Sequence, residues 1–534
     1  MDAQLRIHSQ SLVLLLTRGG PLERLLSHGL VVAGLLAAAG TPLPLDAQQP
    51  DLRQSVADTA ASGAGRLDLQ TLRESLDRLI DDPALERAHV GMVVQSAASG
   101  EVLYERAARK RFVAASTSKL VTAAVALRRL GVDHRWSTRL VAAGPVRDGA
   151  LAGDLWIVGG GDPTLTSDEL DGWAGRLLEA GIERVTGDVI GDDRVFDAVP
   201  WGRGWMWDDL YGGWAAGVSG LQLSPARVRA ELIPASRVGD PAVLRYPEGG
   251  LELSVENRVR TGAPGSEIRL RWLPTPEHDA VALEGWVPAD IERAPLSLAP
   301  DHPTLHLLRV TAAALDRAGI SVSGEFRRAR DGEETAEQAR WQDTLPSEPL
   351  ADVLTRMLKP SDNQVAEVLL RTLGHELGED GSAEAGLRVV RETLAAWGIE
   401  PGAADLSDGS GLSRYNELTP MALSRLLRRM RQLPEFDAFA RALPVAGIDG
   451  TLARRFVATA GDSNVRAKTG SLAGVRALAG YVTDGDGETL VFALLINGYD
   501  APGDVATALE DLLVEQLALF HGPHYPAARQ RDPR

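Results

Sequence analysis

The sequence predicts a multidomain protein of mixed α+β and α/β architecture, in which inserted domains interrupt a helix-rich part that closes with strands. Its 534 residues exceed what one ordinary hydrophobic core accommodates. Helical and strand-like patterns alternate along the chain. A stretch from about residue 143 to 345 departs from the pattern on either side. The apolar fraction of 44% and the charged fraction of 24% are typical of a folded globular protein.

The first 66 residues precede the predicted domains. An apolar run at residues 29–39 has the length of a secretory h-region, with Arg18 and Arg24 before it and Leu45-Asp46-Ala47 as a rough cleavage site. We therefore predict a signal peptide over 1–47, a linker over 48–66, and export to the periplasm or cell envelope. A buried hydrophobic helix is the alternative interpretation of the apolar run.

The first folded segment, 67–142, begins with a helical period over 67–80. Residues 89–94 and 101–104 then alternate as two strands around a turn at 97–100. Residues 120–130 are rich in Ala, Leu and Val without a helix breaker, which predicts a helix that begins near Ser116.

The central insertion contains a repeated unit. A helix followed by Ala-Gly-Ile and a strand occurs near residue 180 and again near residue 318. These halves predict one α/β domain over 143–231 plus 299–345. Residues 232–298 lack helical periodicity and predict a small β domain between the halves.

After residue 345 the pattern turns helical and then β-rich. The predicted helices cover 351–358, 364–373, 382–397 and 505–519. Strands at 475–482 and 490–496 flank a glycine-containing turn, which indicates a hairpin. Residues 346–520 thus complete the outer part of the protein, and 521–534 form a flexible tail.

Composition excludes several classes of function. The net charge of −17 argues against a nucleic-acid binder, which would need a basic surface. The absence of cysteine excludes thiol catalysis, disulfides and thiolate metal sites. His375-Glu376 begins like a zinc helix, but position 379 is glutamate, so we expect no metal and no organic cofactor.

Lysine is rare in this chain and is placed unevenly. Only four of the 56 basic residues are lysines: Lys110, Lys119, Lys359 and Lys468. Arginine can replace lysine as a surface charge but not as a base, because its pKa stays above about 12. Lys119 follows Ser116 by three residues, which places both side chains on one face of a helix. It is therefore a candidate proton acceptor for that serine.

Three short motifs occur in a characteristic order. Ser116-Thr117-Ser118-Lys119 lies at a helix start, Ser361-Asp362-Asn363 at a loop-to-helix edge, and Lys468-Thr469-Gly470 before the last strands. Each motif is weak alone, and the second would also serve as an ordinary helix cap. The ordered set is far more specific than its members.

With these motifs, residues 67–520 resemble the class C low-molecular-mass penicillin-binding proteins, which are D-alanyl-D-alanine carboxypeptidases and endopeptidases. The segments 159–165, 207–210 and 408–414 share the likeness. The 245 positions that separate Ser116 from Ser361 match a family with two domains inserted between the first two motifs. The resemblance implies a penicillin-binding-protein/serine β-lactamase-like catalytic domain, a five-stranded antiparallel sheet with helices, over 67–142 plus 346–520.

The resemblance also implies roles for the motif residues. Ser116 is the nucleophile that forms an acyl-enzyme, and Lys119 takes its proton when it is neutral. Lys468 is a second cation across the cleft. Ser361 relays a proton to the leaving amine, and Asn363 holds the substrate backbone.

Further positions would bind the substrate. Backbone N–H groups of Ser116 and Ser471 would form the oxyanion hole, and Thr469, beside Gly470, would read a terminal carboxylate together with Lys468. Arg414 would clamp a carboxylate of the peptide stem, although a solvated arginine is its simpler interpretation. Tryptophans 205, 207 and 214 would contact the stem peptide or pack in the core.

The implied activity is removal of the terminal D-alanine from peptidoglycan stem peptides, with cleavage of cross-links as a second activity that the sequence leaves open. Expected partners are those peptides and inhibitory β-lactam antibiotics, with loose association to the cell envelope and no nucleic acid. Two alternatives stay open: a serine β-lactamase or esterase of the same fold, and a non-catalytic envelope binding protein.

Overall fold

A computed structural model describes residues 5–7, 67–246, 254–274, 280–334 and 341–522. The apolar run 29–39 of the predicted signal peptide, the predicted linker and residues 523–534 of the predicted tail lie outside these ranges. The described residues fall into two compact units. One contains 5–7 and 228–298, and the other contains 67–227 and 299–522.

The larger unit contains the antiparallel sheet expected from the resemblance, which confirms the predicted fold class. Neighbouring strands pair antiparallel throughout. In spatial order the five strands are Arg466–Leu472, Val475–Thr483, Thr489–Asn497, His89–Ser96 and Val102–Arg106. A small sheet beside it is formed by Ala404–Asp405, Glu417–Leu418 and Phe112–Val113.

Helices pack around this sheet and form the main core. The central helix of this part is Lys119–Leu130. Its buried side chains, such as Leu120 and Val125, share one apolar cluster with sheet residues such as Ala479 and Val491. None of the helices in the described ranges is long and apolar enough to cross a membrane. The helices of this part are Leu69–Ile80, Lys119–Leu130, Leu350–Leu358, Asn363–Leu377, Ala383–Ala396, Pro420–Arg431, Phe436–Ala442 and Gly503–Leu519.

The helix Lys119–Leu130 is buried over its first nine residues, in agreement with its Ala- and Val-rich sequence. A helix that is apolar all round lies in the middle of a core. It ends at Gly131, whose φ of 88° stops the helical hydrogen bonding at little steric cost. Lys119, a charged residue type, therefore begins a helix that is otherwise suited to a dry interior.

The α/β insertion is built on a second five-stranded sheet, with parallel and antiparallel pairs. Its strands in spatial order are Phe326–Arg328, Val189–Asp192, Asp154–Val158, Ser137–Ala143 and Trp341–Pro346. The predicted boundary after residue 142 falls inside Ser137–Ala143, which pairs entirely within this sheet. Helices Ser167–Glu179 and Pro303–Arg317 pack on it. Short strands at Val146–Arg147, Ala150–Leu151, Arg184–Val185 and Ser321–Val322 form a further sheet.

The smaller unit is all β in its described residues. One sheet contains Leu5–Ile7, Ile268–Pro274, Ala280–Pro288 and Ser254–Gly262, and the other contains Val243–Arg245, Val228–Ile233 and Ala294–Leu298. The first and last residues of its longer segment, Val228 and Leu298, are antiparallel partners. This segment therefore starts at 228, because the predicted boundary at 232 cuts through the strand Val228–Ile233.

Candidate active site

The Ser116 hydroxyl lies in a 3₁₀ turn, Ala115–Ser118, that leads directly into the central helix. The preceding residue, Ala115, has a φ of 46°, a conformation rarely adopted by residues other than glycine. Thr117 secures the turn, since its hydroxyl donates to the Ala114 carbonyl at 2.6 Å. The turn leaves Ser116 half-buried while both of its neighbours are buried. Strained backbone of this kind is concentrated at functional sites.

The Lys119 amine lies 3.0 Å from the Ser116 hydroxyl oxygen. It also donates to Asn363 Oδ1 and to the Ser410 carbonyl, both at 2.6 Å. Burial lowers the pKa of Lys119 to about 8, while the charges of Asp408 and other nearby carboxylates act in the opposite direction. The two carbonyl oxygens can only accept. In the neutral amine they therefore engage both N–H groups, and the lone pair is left for Ser116.

The orientation of the Asn363 amide is fixed from outside the motif. Its Nδ2 donates to the Trp214 carbonyl at 2.8 Å, and that carbonyl can only accept. This contact directs Oδ1 to Lys119. Asn363, predicted to hold substrate, is thus also a ligand of the lysine amine.

The Lys468 amine faces the same centre from the strand Arg466–Leu472. Burial and the charge of Lys119 together hold the pKa of Lys468 well below its usual value. Its Nζ donates to the Thr469 carbonyl at 2.8 Å. Two buried ammonium groups at one centre disfavour each other, so the geometry promotes a neutral amine.

Gly470 allows this strand to approach the serine turn. A Cβ built on it would lie 2.9 Å from the Ala114 carbonyl oxygen. Ser471, the predicted second oxyanion donor, follows on the same strand. The glycine is therefore required by the close contact between the first and third motifs.

Ser361 occupies the turn between helices Leu350–Leu358 and Asn363–Leu377. Like Ala115 beside the serine, it has a left-handed backbone, with a φ of 66°. Its side chain is partly buried, and its hydroxyl makes no hydrogen bond to any residue that the structure describes. A free hydroxyl two residues before Asn363 is available to an incoming substrate.

A glycine-rich loop, 408–413, closes the other side of the lysine. Asp408 organises it, because its carboxylate accepts from the backbone of Gly411 and Ser413 at 2.7 Å. The indole of Trp205 donates to the same carboxylate at 2.9 Å. Gly411 has a φ of 81°, and a Cβ on it would lie only 1.9 Å from the Ala115 carbonyl oxygen. The loop can therefore pack against the serine turn only with glycine at this position.

Thr469 and Lys359 both contact the loop that contains Asp449 and Thr451. The Thr469 hydroxyl donates to that of Thr451 at 2.8 Å. Thr451 donates its backbone N–H to the Lys359 carbonyl, and the Lys359 amine pairs with Asp449. Three of the four lysines therefore belong to the centre or its immediate support, whereas Lys110 is exposed.

Arg414 lies on the surface, where its guanidinium donates to the Ala473 carbonyl at 2.9 Å. Its charge also favours ionisation of Asp209, although burial raises the pKa of that carboxyl overall. Trp207, which lies between Trp205 and Asp209 in the sequence, is half exposed. The structure thus brings Arg414 beside an acidic residue of the inserted segment.

Sequence reasoning missed several members of this site: Glu367, Ser410, Thr451 and the carbonyl of Trp214. Glu367 carried a usable signal, because it follows Asn363 by four residues on an apolar helix where an unpaired acid is costly. The others act through a backbone carbonyl or across a long sequence separation. No local sequence pattern predicts such contacts.

Comparison with known proteins identifies relatives over most of the chain. Residues 72–517 match the family described as D-Ala-D-Ala carboxypeptidase 3 (S13). A D-alanyl-D-alanine carboxypeptidase of Actinomadura sp. (strain R39) is 35% identical over 489 residues, covering 88% of each chain. The crystal structure of penicillin binding protein 4 (dacB) from Haemophilus influenzae superposes with a TM-score of 0.74 at 27% identity, over 83% of this chain and 99% of that one. A complex of that protein with a β-lactam gives 0.69 at 25% identity, over 82% and 98%.

Proposed function

This chain belongs to the D-Ala-D-Ala carboxypeptidase 3 (S13) family, and from that premise we propose that it is a serine carboxypeptidase acting on peptidoglycan stem peptides. It removes the terminal D-alanine through an acyl-enzyme on Ser116. The single observation that carries the proposal is the amine of Lys119, 3.0 Å from the Ser116 hydroxyl oxygen with its other acceptors already engaged.

In the proposed mechanism the Ser116 oxygen attacks the carbonyl carbon of the D-Ala-D-Ala amide, and its proton passes to Lys119. Backbone N–H groups of Ser116 and Ser471 stabilise the oxyanion. The C–N bond then breaks, and the leaving amine takes a proton relayed through the free hydroxyl of Ser361. Water hydrolyses the ester by the reverse sequence of proton transfers.

The polar groups around Ser116 select the substrate. Lys468 and the paired hydroxyls of Thr469 and Thr451 suit a terminal carboxylate, the group that distinguishes a carboxypeptidase substrate. Asn363 keeps one N–H for the peptide backbone. Arg414, which is partly exposed, suits a carboxylate farther along the stem.

A β-lactam carries an amide carbonyl and a carboxylate in a similar arrangement, so penicillins should acylate Ser116. The crystallised relative in complex with a β-lactam supports this part of the proposal. We further propose export through the predicted signal peptide, residence in the periplasm or cell envelope, and loose association with the envelope. Cleavage of cross-links is proposed as a secondary activity of the same site.

Labelled penicillin followed by peptide mapping tests the nucleophile. The label is expected on the peptide that contains Ser116, and Ser116→Ala should carry none. Release of D-alanine from a synthetic pentapeptide should disappear in the same variant. A label on another peptide contradicts the mechanism.

Nitrocefin turnover separates this activity from that of a β-lactamase on the same fold. A carboxypeptidase forms a long-lived acyl-enzyme with nitrocefin and releases D-alanine from the pentapeptide. Rapid nitrocefin hydrolysis without D-alanine release would assign the protein to the other class.

A further inference from the structure

Glu367 is a fully buried carboxyl group that has no part in the mechanism above. It follows Asn363 by four residues on the helix Asn363–Leu377, so both side chains lie on the same face. That face is directed toward Lys119, which Asn363 contacts. An acid in an apolar interior is costly unless it is paired and hydrogen-bonded.

The contacts of Glu367 lead to Lys119 through one residue, Ser410. Its Oε1 accepts from the backbone N–H groups of Gly409 and Ser410, both at 2.9 Å. The carbonyl of the same Ser410 accepts from the Lys119 amine at 2.6 Å. The carboxylate therefore fixes the residue whose carbonyl orients the amine.

The second oxygen of Glu367 faces Arg371, one turn further along the helix and also fully buried, with Nη1 to Oε2 at 3.4 Å. Arg371 donates to the Val199 carbonyl at 2.7 Å and lies 3.5 Å from Asp197. Glu367 and Arg371 thus form an internal ion pair of zero net charge beneath the lysine.

The other charges around Lys119 are committed to separate partners. Asp408 is held by three donors of its own loop, by the Asn416 amide and by the Trp205 indole. Asp362 pairs with Arg227 at 3.1 Å. Lys468 also faces Lys119, and burial together with the charge of Lys119 holds its pKa well below the usual value. The carboxylate of Glu367 raises the pKa of Lys119, and burial followed by the charge of Asp408 raises the pKa of Glu367 itself to about 7.

We propose that Glu367 is a positioning residue that holds the Ser410 carbonyl against Lys119 and sets the pH at which Lys119 becomes a base. The inference rests on the proposed role of Lys119 in acylation. Removing the negative charge makes the ammonium form less favourable, so Lys119 loses its proton at lower pH. A Glu367 that only ties the helix to the loop would leave that pH unchanged.

The test is the pH profile of the penicillin acylation rate. In Glu367→Gln the rising limb should move to lower pH by on the order of one unit, because the variant loses an anion near Lys119 while the cation Arg371 stays. In Glu367→Gln with Arg371→Met the pair is again neutral, and the limb should return most of the way. In Glu367→Asp the charge stays but the shorter chain reaches both amides poorly. The rising limb should then stay at the wild-type pH, and the maximal acylation rate should fall by about tenfold.

Thermal melts establish that each variant is folded before its profile is read. A uniform loss of rate in Glu367→Gln without movement of the limb overturns the proposal. If Glu367→Gln does not fold, Glu367→Asp is the deciding variant. An unchanged maximal rate in Glu367→Asp overturns the proposal. Failure of the proposed function appears separately, as wild-type protein that takes no label on Ser116.

Discussion

The proposed reaction requires a lysine at position 119, because an arginine there could not act as a base. Lys119 is fully buried, and burial lowers its pKa to about 8. A guanidinium in its place would stay charged under all working conditions. Two fixed acceptors leave the lone pair of the neutral amine for Ser116, which is the orientation that the proposed mechanism requires.

Replacing Lys119 by arginine should abolish acylation although the positive charge is kept. We expect the penicillin acylation rate of Lys119→Arg to fall by roughly 10²–10⁴-fold, the contribution of a positioned general base. Lys110→Arg, at an exposed position near the same motif, is the matched control and should react like the wild type. Equal rates for the two variants would remove Lys119 from the mechanism.

The pH dependence of acylation follows from the lowered pKa of Lys119. The neutral amine is the reactive form, so the rate should rise with pH and level off above about pH 8. Lys468 is coupled to Lys119, so the observed value belongs to the pair. Stopped-flow measurement of acylation between pH 5 and 10 provides the profile, at about one-unit steps. A rate that falls with rising pH over this range would contradict a lysine base.

The site is assembled where a turn, a loop and a strand approach one another more closely than side chains permit. Gly470 lets the strand Arg466–Leu472 meet the serine turn, and Gly411 lets the loop 408–413 meet it from the other side. Gly411 also requires a left-handed backbone. These glycines are needed for the distance between elements rather than for flexibility.

The glycine requirement can be tested with a matched pair. Gly411 and Gly402 both have φ near 80°, but a Cβ on Gly402 meets nothing within 4 Å. Gly402→Ala should cost about 1 kcal/mol of unfolding free energy from backbone strain alone. Gly411→Ala should cost at least about 3 kcal/mol, because overpacking adds to the strain, and should slow acylation. Urea denaturation measures both, and equal losses would show that the contact with Ala115 is unimportant.

Across the whole molecule, the inserted segment around residues 197–214 is part of the site and not only an attachment. Its Trp214 carbonyl sets the amide of Asn363, and its Trp205 indole binds Asp408. Its Val199 carbonyl accepts from Arg371. The helix Asn363–Leu377 and the loop 408–413, which both surround Lys119, are thus held from one segment of the insertion.

The small β unit differs from the segment 197–214, because the two ends of its segment 228–298 lie side by side. Val228 and Leu298 are antiparallel partners, whose Cα atoms lie about 5 Å apart in such pairs. We expect that 228–298 can be replaced by a linker of about three Gly and Ser residues. The shortened protein should fold and be acylated by penicillin within about threefold of the wild-type rate. A folded but unreactive protein would show that the β unit contributes to catalysis.

The sequence was sufficient for the fold class, for the order of the motifs and for the prediction that Ser116 and Lys119 meet, because these depend on local periodicity and on spacing within one helical turn. It placed the domain boundaries only approximately. Ser137–Ala143 and Val228–Ile233 pair with strands far along the chain, and strand patterns do not name their partners. The assigned catalytic roles themselves stay predictions.

The surroundings that lower the pKa of Lys119 could not be predicted from the sequence. The Ser410 carbonyl contacts its amine, whereas Glu367 acts through Ser410 and the Trp214 carbonyl acts through Asn363. These groups come from three separate segments, and two of them are main-chain carbonyls that every residue possesses. Residue types along a sequence specify which chemical groups are available. Their burial, and therefore the protonation of the lysine, exists only once distant segments have packed together and excluded water.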